Sequence, residues 1–457
     1  MTADLPATAT RADEGQSLRG FLASLDDDQL IRYTVRRRDF LLGAIVDELE
    51  KRDSFPVVQL TDPDTGAKTV ANTFANRDIL KGRVHNIMDV ERKALEFGGL
   101  EMVRNPPCQQ NVREGALVDL SALPVFRHFP GDAGPYITSG VVIARDPENG
   151  RHNFSFHRMQ IKGKNKIGVS LHSRGDLWRY MAASEAAGKD LEIAVFIGAH
   201  PAYYIVGASK VPPPQDDYSW AGAYMNAVPK VAKSVRAGIP VPAFAEYVLE
   251  GRVLANARED EGPFGEYTGY STSRSTRNVF MVDAITYRND AIWQDLVPGF
   301  AWEHLLLSQL TKEIILLNKL RQEIPEVKAL CLPKNGCHFH AYLSMSPQAD
   351  GQAKQAMLLL FGLDPYLKLI IAVNEDVNVF NEQEVWWATA TRTQADRDVF
   401  IVPRVLCNRL DPSSEDGMAA KMGIDATKPA GWDAQRLSLP ESAREQALGL
   451  IQGQAPA

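Results

Sequence analysis

Between residues 140 and 287 the chain carries a succession of short β-like segments, and this succession restricts its fold more than any other feature. Gly140–Arg145, Phe154–Lys162, Ile167–His172, Leu191–Ile197 and Val279–Tyr287 are rich in β-branched and aromatic residues, with Gly, Asn and Asp between them. Leu177–Ala186 reads as a helix among them. Serial short strands of this kind predict a β-barrel-like domain over residues 116–297.

The flanks read differently. Asp26–Arg52 is predicted to be one helix, with N-caps at Asp26 to Asp28 and an apolar stripe of Leu30, Val35, Leu41, Ile45 and Leu49. Phe55–Thr61 and Lys68–Thr73 read as strands around the turn Asp62-Pro63-Asp64-Thr65-Gly66. Beyond the barrel, Trp302–Gln322, Gln352–Phe361 and Glu382–Thr391 have helical periodicity. Val327–Leu332, His338–Ser344, Leu369–Val373 and Val399–Val402 read as strands between them. Strand–helix–strand repetition predicts a mostly parallel sheet here. The fold class is therefore mixed α/β (α+β). Its segments are an N-terminal α/β unit over 17–115, the barrel over 116–297, a C-terminal α/β unit over 298–435 and a tail over 436–457.

A net charge of −7 disfavours a broad nucleic-acid surface. No apolar run approaches the ~18 residues of a membrane span. The polar, acidic stretch from Met1 to Gln16 has no apolar core of the secretory kind, so a cytoplasmic location is the expectation. The four cysteines make no disulfide framework. Cys331, Cys337, His338 and His340 cluster, but their spacing matches no zinc pattern. His338 to Leu343 alternates instead like a strand, with both histidines on one face.

Chemistry is concentrated in Glu261-Gly262-Pro263-Phe264-Gly265-Glu266. Pro263 and Gly265 break helix and strand alike, so the backbone turns and holds two carboxylates at different positions, as general acid–base catalysis requires. Asn153 and Arg158 lie five residues apart, so on one uninterrupted strand they would face opposite sides; a bulge or a strand entry is needed to bring both to one site. Arg158 is suited to bidentate carboxylate binding. His172 ends an apolar strand, and Asp217 follows Pro212-Pro213-Pro214, with Asp216 competing for its role as ligand or helix N-cap. Asn, His and Asp together would suit a hard divalent ion. A Walker A loop, a Gly-x-Gly-x-x-Gly turn and a Gly-x-Ser-x-Gly elbow are all absent.

Taken in order, these pieces resemble the UbiD family of prenylated-FMN-dependent (de)carboxylases. The resemblance is carried by Asn153-x4-Arg158, Ser170-Leu171-His172, Asp216-Asp217-Tyr218-Ser219-Trp220-Ala221-Gly222, Val241–Gly251, Glu261–Glu266 with Tyr267-Thr268-Gly269-Tyr270, Asn374–Asn378, Ala390–Asp398 and Gly423–Lys428. It implies a split β-barrel flavin domain followed by an α/β oligomerisation domain with a helical tail. It implies that Asn153, His172 and Asp217 ligate Mn²⁺ (or Mg²⁺), with K⁺ nearby; the family usually has Glu where this chain has Asp217. Asn153, Ser155, Arg158, Leu171, His172 and Lys368 are implied as cofactor-binding, and Arg158, Glu261 and Glu266 as the catalytic set. In the implied mechanism an aromatic or heteroaromatic acid of furan, pyrrole or indole type bonds covalently to the flavin, loses CO₂ reversibly and is reprotonated by Glu266. Implied partners are a flavin prenyltransferase as cofactor supplier and further copies of the chain in a homodimer or larger assembly.

The resemblance also implies that Pro298–His304 lies near the pocket mouth, where Phe300 and Trp302 suit a flat ring or ordinary packing equally. His304 and Lys312 are the candidate cations for a second carboxylate, which admits furan-2,5-dicarboxylate as substrate. Two other readings remain open: a non-catalytic cofactor-binding subunit of a hetero-oligomer, and an ordinary FMN oxidoreductase.

Overall fold

The computed structural model describes residues 15–171 and 175–452. Its central feature is a nine-stranded sheet in which every pairing is antiparallel. The path runs Tyr136–Ile137, Met159–Ile161, Lys166–Val169, Asn278–Tyr287, Tyr247–Arg258, Leu191–Ile197, Val141–Arg145 and His152–Phe156, with Asn111–Glu114 paired to Asn278–Tyr287 off the path. His152–Phe156 closes one end of this path and Met159–Ile161 stands next to the other end. Only His157 and Arg158 separate the two strands in sequence. Two residues cannot cross a flat sheet of this width, so the sheet must curl until its ends meet. Arg158 stands at that seam.

Residue alternation builds the two faces. Val142, Ile193, Val195, Leu249, Met159 and Phe280 pack into one apolar cluster. Their sequence neighbours Val141, Ile143, Ala194, Phe196 and Val248 pack with Phe154 into another. Truncating a fully buried ring such as Phe196 would cost roughly 3–5 kcal/mol.

Sequence reasoning missed the long strand Tyr247–Arg258, because Glu250, Gly251 and Asn256 interrupt its apolar pattern. The fold accommodates each of the first two. Buried Glu250 accepts the N–H groups of Val235 and Arg236 at 2.8 and 2.9 Å. Gly251 marks a register shift, where a Cβ would lie 1.9 Å from the Met281 carbonyl oxygen. The predicted strand Phe154–Lys162 is two strands, broken at His157-Arg158.

The single helix predicted over Asp26–Arg52 is corrected. Leu30–Thr34 is a strand paired in parallel with Val57–Thr61, and only Leu41–Glu50 is helical. Leu30 belongs to a core with Val57 and Val70, and the β-branched Ile31 and Thr34 fit a pleated edge; tertiary pairing overrides the helical stripe.

The C-terminal sheet has the order Val327–Cys331, His340–Met345, Leu369–Asn374, Met418–Ala426 and Val399–Leu406. Its two inner pairings are parallel and its two outer ones antiparallel, so the expected mostly parallel sheet holds only at the centre. His338 is not on a strand. It has φ of 63°, after a 3₁₀ turn over Lys334–Gly336, so the two histidines do not share a strand face. Among the described residues no group of three or more His, Cys, Asp and Glu side chains is placed to hold a metal, and no helix is long and apolar enough to cross a membrane. The helix Trp302–Glu323 leads from the barrel to this sheet.

Candidate active site

Arg158 leaves the barrel seam and meets the acid loop. Its Nε and Nη2 donate to the two carboxylate oxygens of Glu261 at 3.0 and 2.9 Å. Nη1 donates to Glu266, and Nη2 also donates to the Arg274 carbonyl at 2.7 Å. Four of the five guanidinium N–H groups therefore have named acceptors; the fifth, on Nη1, has none among the described residues. The Arg158 carbon CZ lies 5.2 Å from the centroid of the Phe264 ring.

The loop reaches this geometry through small residues. Gly168 lets Glu261 lie against the neighbouring strand, where a Cβ would meet Glu261 Cγ at 3.3 Å. Gly262 has φ of +94°, which favours glycine. Phe264–Gly265 then pairs with Ser271–Thr272 as a miniature hairpin, and Glu266 sits at its turn. The three side chains are 9% (Arg158), 0% (Glu261) and 14% (Glu266) exposed, so the charges interact out of bulk water. Burial pulls the Arg158 pKa down, but the hydrogen bonds and charge of Glu261 more than offset it, and the guanidinium stays charged. Burial raises the Glu266 pKa above its ordinary value against the opposing charge of Arg158, and Glu261 adds to the rise. One cation thus stands between two acids, of which Glu266 is the more accessible.

A second cluster lies on the strand His152–Phe156. Asp217 opens the helix Asp217–Met225, and its Oδ2 accepts the Phe154 N–H at 2.6 Å, next to Asn153. Asp216 is the N-cap: it accepts the Tyr218 N–H at 3.0 Å and the His152 N–H at 2.9 Å. Capping therefore engages Asp216, while Asp217 is buried and desolvation pushes its pKa well up. The Asn153 Oδ1 is buried and has no hydrogen-bond partner among the described residues. His172 lies outside the described residues. Ser155 and His157 are coupled: His157 Nδ1–H donates to the Ser170 carbonyl at 3.1 Å, so its Nε2 accepts from the Ser155 hydroxyl at 3.0 Å. The Leu171 N–H donates to Thr276 Oγ1 at 2.7 Å.

Two family models cover most of the chain: the 3-octaprenyl-4-hydroxybenzoate carboxy-lyase Rift-related domain matches residues 101–301 and the C-terminal domain of the same carboxy-lyase matches residues 305–426. The chain belongs to the UbiD family of carboxy-lyases. Its UbiD relatives include an anhydromevalonate phosphate decarboxylase of Methanothermobacter thermautotrophicus, 32% identical over 423 residues, or 90% of this chain and 97% of that one. The UbiD-class enzyme HmfF from Pelotomaculum thermopropionicum, solved in complex with FMN, superposes with a TM-score of 0.87 at 35% identity, covering 94% of this chain and 98% of its own. The vanillic acid decarboxylase of Sedimentibacter hydroxybenzoicus in its closed form gives a TM-score of 0.79 at 27% identity, covering 98% and 100%.

In this UbiD chain the other sequence candidates are dispersed. Lys368 Nζ pairs with Asp411 at 2.7 Å and donates to Ser413 at 2.8 Å, within the C-terminal unit. Phe300 is exposed and packs over Gly269, just beyond Glu266. Trp302 lies beneath the Arg77 guanidinium, 5.7 Å from its ring centroid. His304 Nδ1–H donates to the Gly299 carbonyl at 2.9 Å, and Lys312 pairs with buried Asp364 at 2.6 Å. Sequence reasoning gave no role to Tyr267, although it stands in the stretch that carries the resemblance; its ring packs edge-on against His304 and His338 while its hydroxyl meets Asn408. Sequence reasoning missed Asp132, which binds the acid loop. Tyr267 follows Glu266 directly and was readable by adjacency; Asp132 is 133 residues from Gly265 and carried no signal.

Proposed function

We propose that this chain catalyses reversible, non-oxidative decarboxylation of an aromatic or heteroaromatic monocarboxylic acid on a bound prenylated flavin. The observation that supports it most is the buried Arg158 shared by Glu261 and Glu266, the latter with its pKa raised. The solved relatives add to it: HmfF was solved with FMN, and an evolved dimeric form of it with prFMN, at 32% identity.

The residues present suit the cofactor and its metal. The buried carbonyl of Asn153, without a partner among the described residues, and the desolvated carboxyl of Asp217, which binds the N–H of the next residue Phe154, are donors that a hard cation would satisfy. Asn153, Asp217 and His172 would hold Mn²⁺ or Mg²⁺, with K⁺ nearby, and Ser155, Leu171, Arg158 and Lys368 would line the flavin. When bound, a prenylated flavin supplies the electron sink that loss of CO₂ from an sp² carbon demands and that side chains lack.

The chain's own residues do the rest. Glu261 holds Arg158 rigidly through two bonds, so the guanidinium presents its remaining Nη1–H to the substrate carboxylate. Burial raises the proton affinity of Glu266 above that of an ordinary glutamate, as a proton donor requires. As CO₂ departs, Glu266 delivers its proton to the carbon that bore it; in carboxylation it takes that proton back. The pairing of Lys312 with Asp364 neutralises the cation that a second carboxylate would need, and burial holds the His304 pKa below its usual value. This favours a monoacid over furan-2,5-dicarboxylate.

The test is to produce the chain together with a flavin prenyltransferase. Furan, pyrrole and indole monoacids and furan-2,5-dicarboxylate are then incubated in bicarbonate buffer, and both directions are followed by chromatography. Turnover of at least one monoacid is expected, with Glu266→Gln lowering turnover and substrate H/D exchange by ~10²-fold or more. Exchange near the wild-type rate in that variant would remove Glu266 from its role. Preferential turnover of the diacid would overturn the monoacid assignment.

A further inference from the structure

The backbone that carries Glu266 is tied to a part of the chain far away in sequence. Buried Asp132 accepts the Gly265 N–H through Oδ1 at 3.0 Å and the Phe129 N–H through Oδ2 at 2.8 Å. The Asp132 N–H donates back to the Phe129 carbonyl at 3.0 Å, and the Ala133 N–H donates to the Pro263 carbonyl at 2.8 Å. The Phe129 ring lies against the same loop: a Cβ at Gly265 would sit 2.5 Å from Phe129 Cδ2, and one at Gly299 would sit 2.9 Å from Phe129 Cζ. The turn over residues 129–133 therefore grips the acid loop at two points, the second immediately before Glu266. On its far side, Glu266 is held by its own hairpin turn, with Glu266 N–H donating to the Tyr270 carbonyl at 3.0 Å.

We propose that Asp132 is a positioning residue that fixes the backbone from which Glu266 reaches Arg158. The proposal rests on Glu266 being the proton donor. Asp132 touches neither Arg158 nor the reacting atoms; it acts through Gly265. Both carboxylate oxygens are engaged by backbone N–H groups, so the side chain bridges two segments as one rigid unit. A proton donor must be held within hydrogen-bond reach of its target, and small displacements are enough to slow transfer. Releasing the Gly265 N–H lets the loop drift and draws Glu266 away from Arg158. Glu266 then loses the cation that restrains its proton affinity.

The test uses Asp132→Ala and the conservative Asp132→Asn in flavin-loaded enzyme. In Asp132→Ala, kcat is expected to fall by ~10-fold or more, with KM for the acid changed by less than about 3-fold. The alkaline limb of the kcat–pH profile should move to higher pH, and the Gly265 and Glu266 amides should exchange hydrogen faster. Asp132→Asn keeps one acceptor oxygen and should fall between the two. A kcat within about twofold of wild type, or a loss of activity with an unmoved pH limb, would overturn the proposal. If Glu266→Gln itself turned over normally, the proton-donor reading would fail instead. Amide exchange at Gly265 would then still decide whether Asp132 holds the loop, since unchanged exchange in Asp132→Ala refutes it.

Discussion

Arg158 and Glu261 share two parallel hydrogen bonds, Nε and Nη2 to the two carboxylate oxygens, with the Glu261 side chain wholly buried. A buried bidentate pair fixes the plane of the guanidinium as well as its charge. Glu261 therefore sets where the Nη1 edge points, and Glu266 meets Arg158 at that edge.

Substitution separates the two acids. Glu261→Gln keeps the shape and loses the charge, leaving Arg158 to turn toward Glu266. That charge then lowers the Glu266 pKa and weakens its hold on the proton. The expected outcome is a kcat reduced by ~10²-fold and an alkaline limb displaced to lower pH, opposite to the displacement expected for Asp132→Ala. A pH–rate profile of the loaded variant decides it, and an unmoved limb would break the link between the two acids.

Much of this arrangement was legible before any coordinates. The Gly-Pro-Phe-Gly spacer announced a turn between two acids, and the strand-rich middle announced a barrel. What sequence could not show is what depends on closure of the sheet. Asn153 lies on His152–Phe156 and Arg158 in the break before Met159–Ile161, and that break at the seam is visible only as topology. Which of Asp216 and Asp217 caps the helix was likewise readable only from the fold, which gives the cap to Asp216. The error over Asp26–Arg52 has the same origin: the stripe from Leu30 to Leu49 is a good helical face until Val57–Thr61 arrives to pair with Leu30–Thr34. Asp132 was invisible because an aspartate in a Gly-rich turn has no distinguishing pattern.

The proposed metal ligands Asn153 and Asp217 make a pH-dependent prediction. Burial raises the Asp217 pKa in the folded, metal-free chain well above its unfolded value. That stability is present at pH below the unfolded pKa and is lost as pH rises through the folded one. A bound cation requires the ionised carboxylate, so Mn²⁺ competes with the proton. Adding Mn²⁺ should therefore raise the thermal midpoint more at pH 8 than at pH 5. The ceiling is about 2.7 kcal/mol at a hundredfold excess over Kd. In Asn153→Ala the gain should shrink at both pH values. An equal gain in Asn153→Ala and the parent would exclude Asn153 as a ligand.

Glu303 offers a second titration, independent of the active site. It is wholly buried near the start of the Trp302–Glu323 helix, and its Oε1 accepts the Val297 N–H at 3.2 Å. Burial lifts its pKa to about 7. Folding thus binds a proton that is lost as pH rises through neutrality, a differential on the order of 3 kcal/mol against an ordinary glutamate. Glu303→Gln removes the ionisation. Its thermal midpoint should change less between pH 6 and pH 8.5 than that of the parent, as calorimetry would show. An identical pH slope would mean that Glu303 is ionised throughout.

The tail predicts assembly. Residues 428–451 are all exposed, including Leu437 at 97% and Ile451 at 67%, and Glu441–Gln452 is helical. A helix of this length is marginal in water without a packed face, and apolar side chains so placed call for a covering surface. Arg436 anchors the start of the tail, bonding the Asp376 carbonyl at 2.8 Å and lying 4.6 Å from the centroid of the Trp387 ring. Beyond that anchor the chain is directed away from its own core, and we expect a second copy to receive it. Ending the chain after Gln435 should lower the native mass to that of a smaller assembly, while the thermal transition of the barrel persists. Native mass spectrometry reads the first and calorimetry the second. An unchanged assembly would place the interface elsewhere, with the exposed edge strand Val399–Leu406 and its Ile401 as the next surface to test.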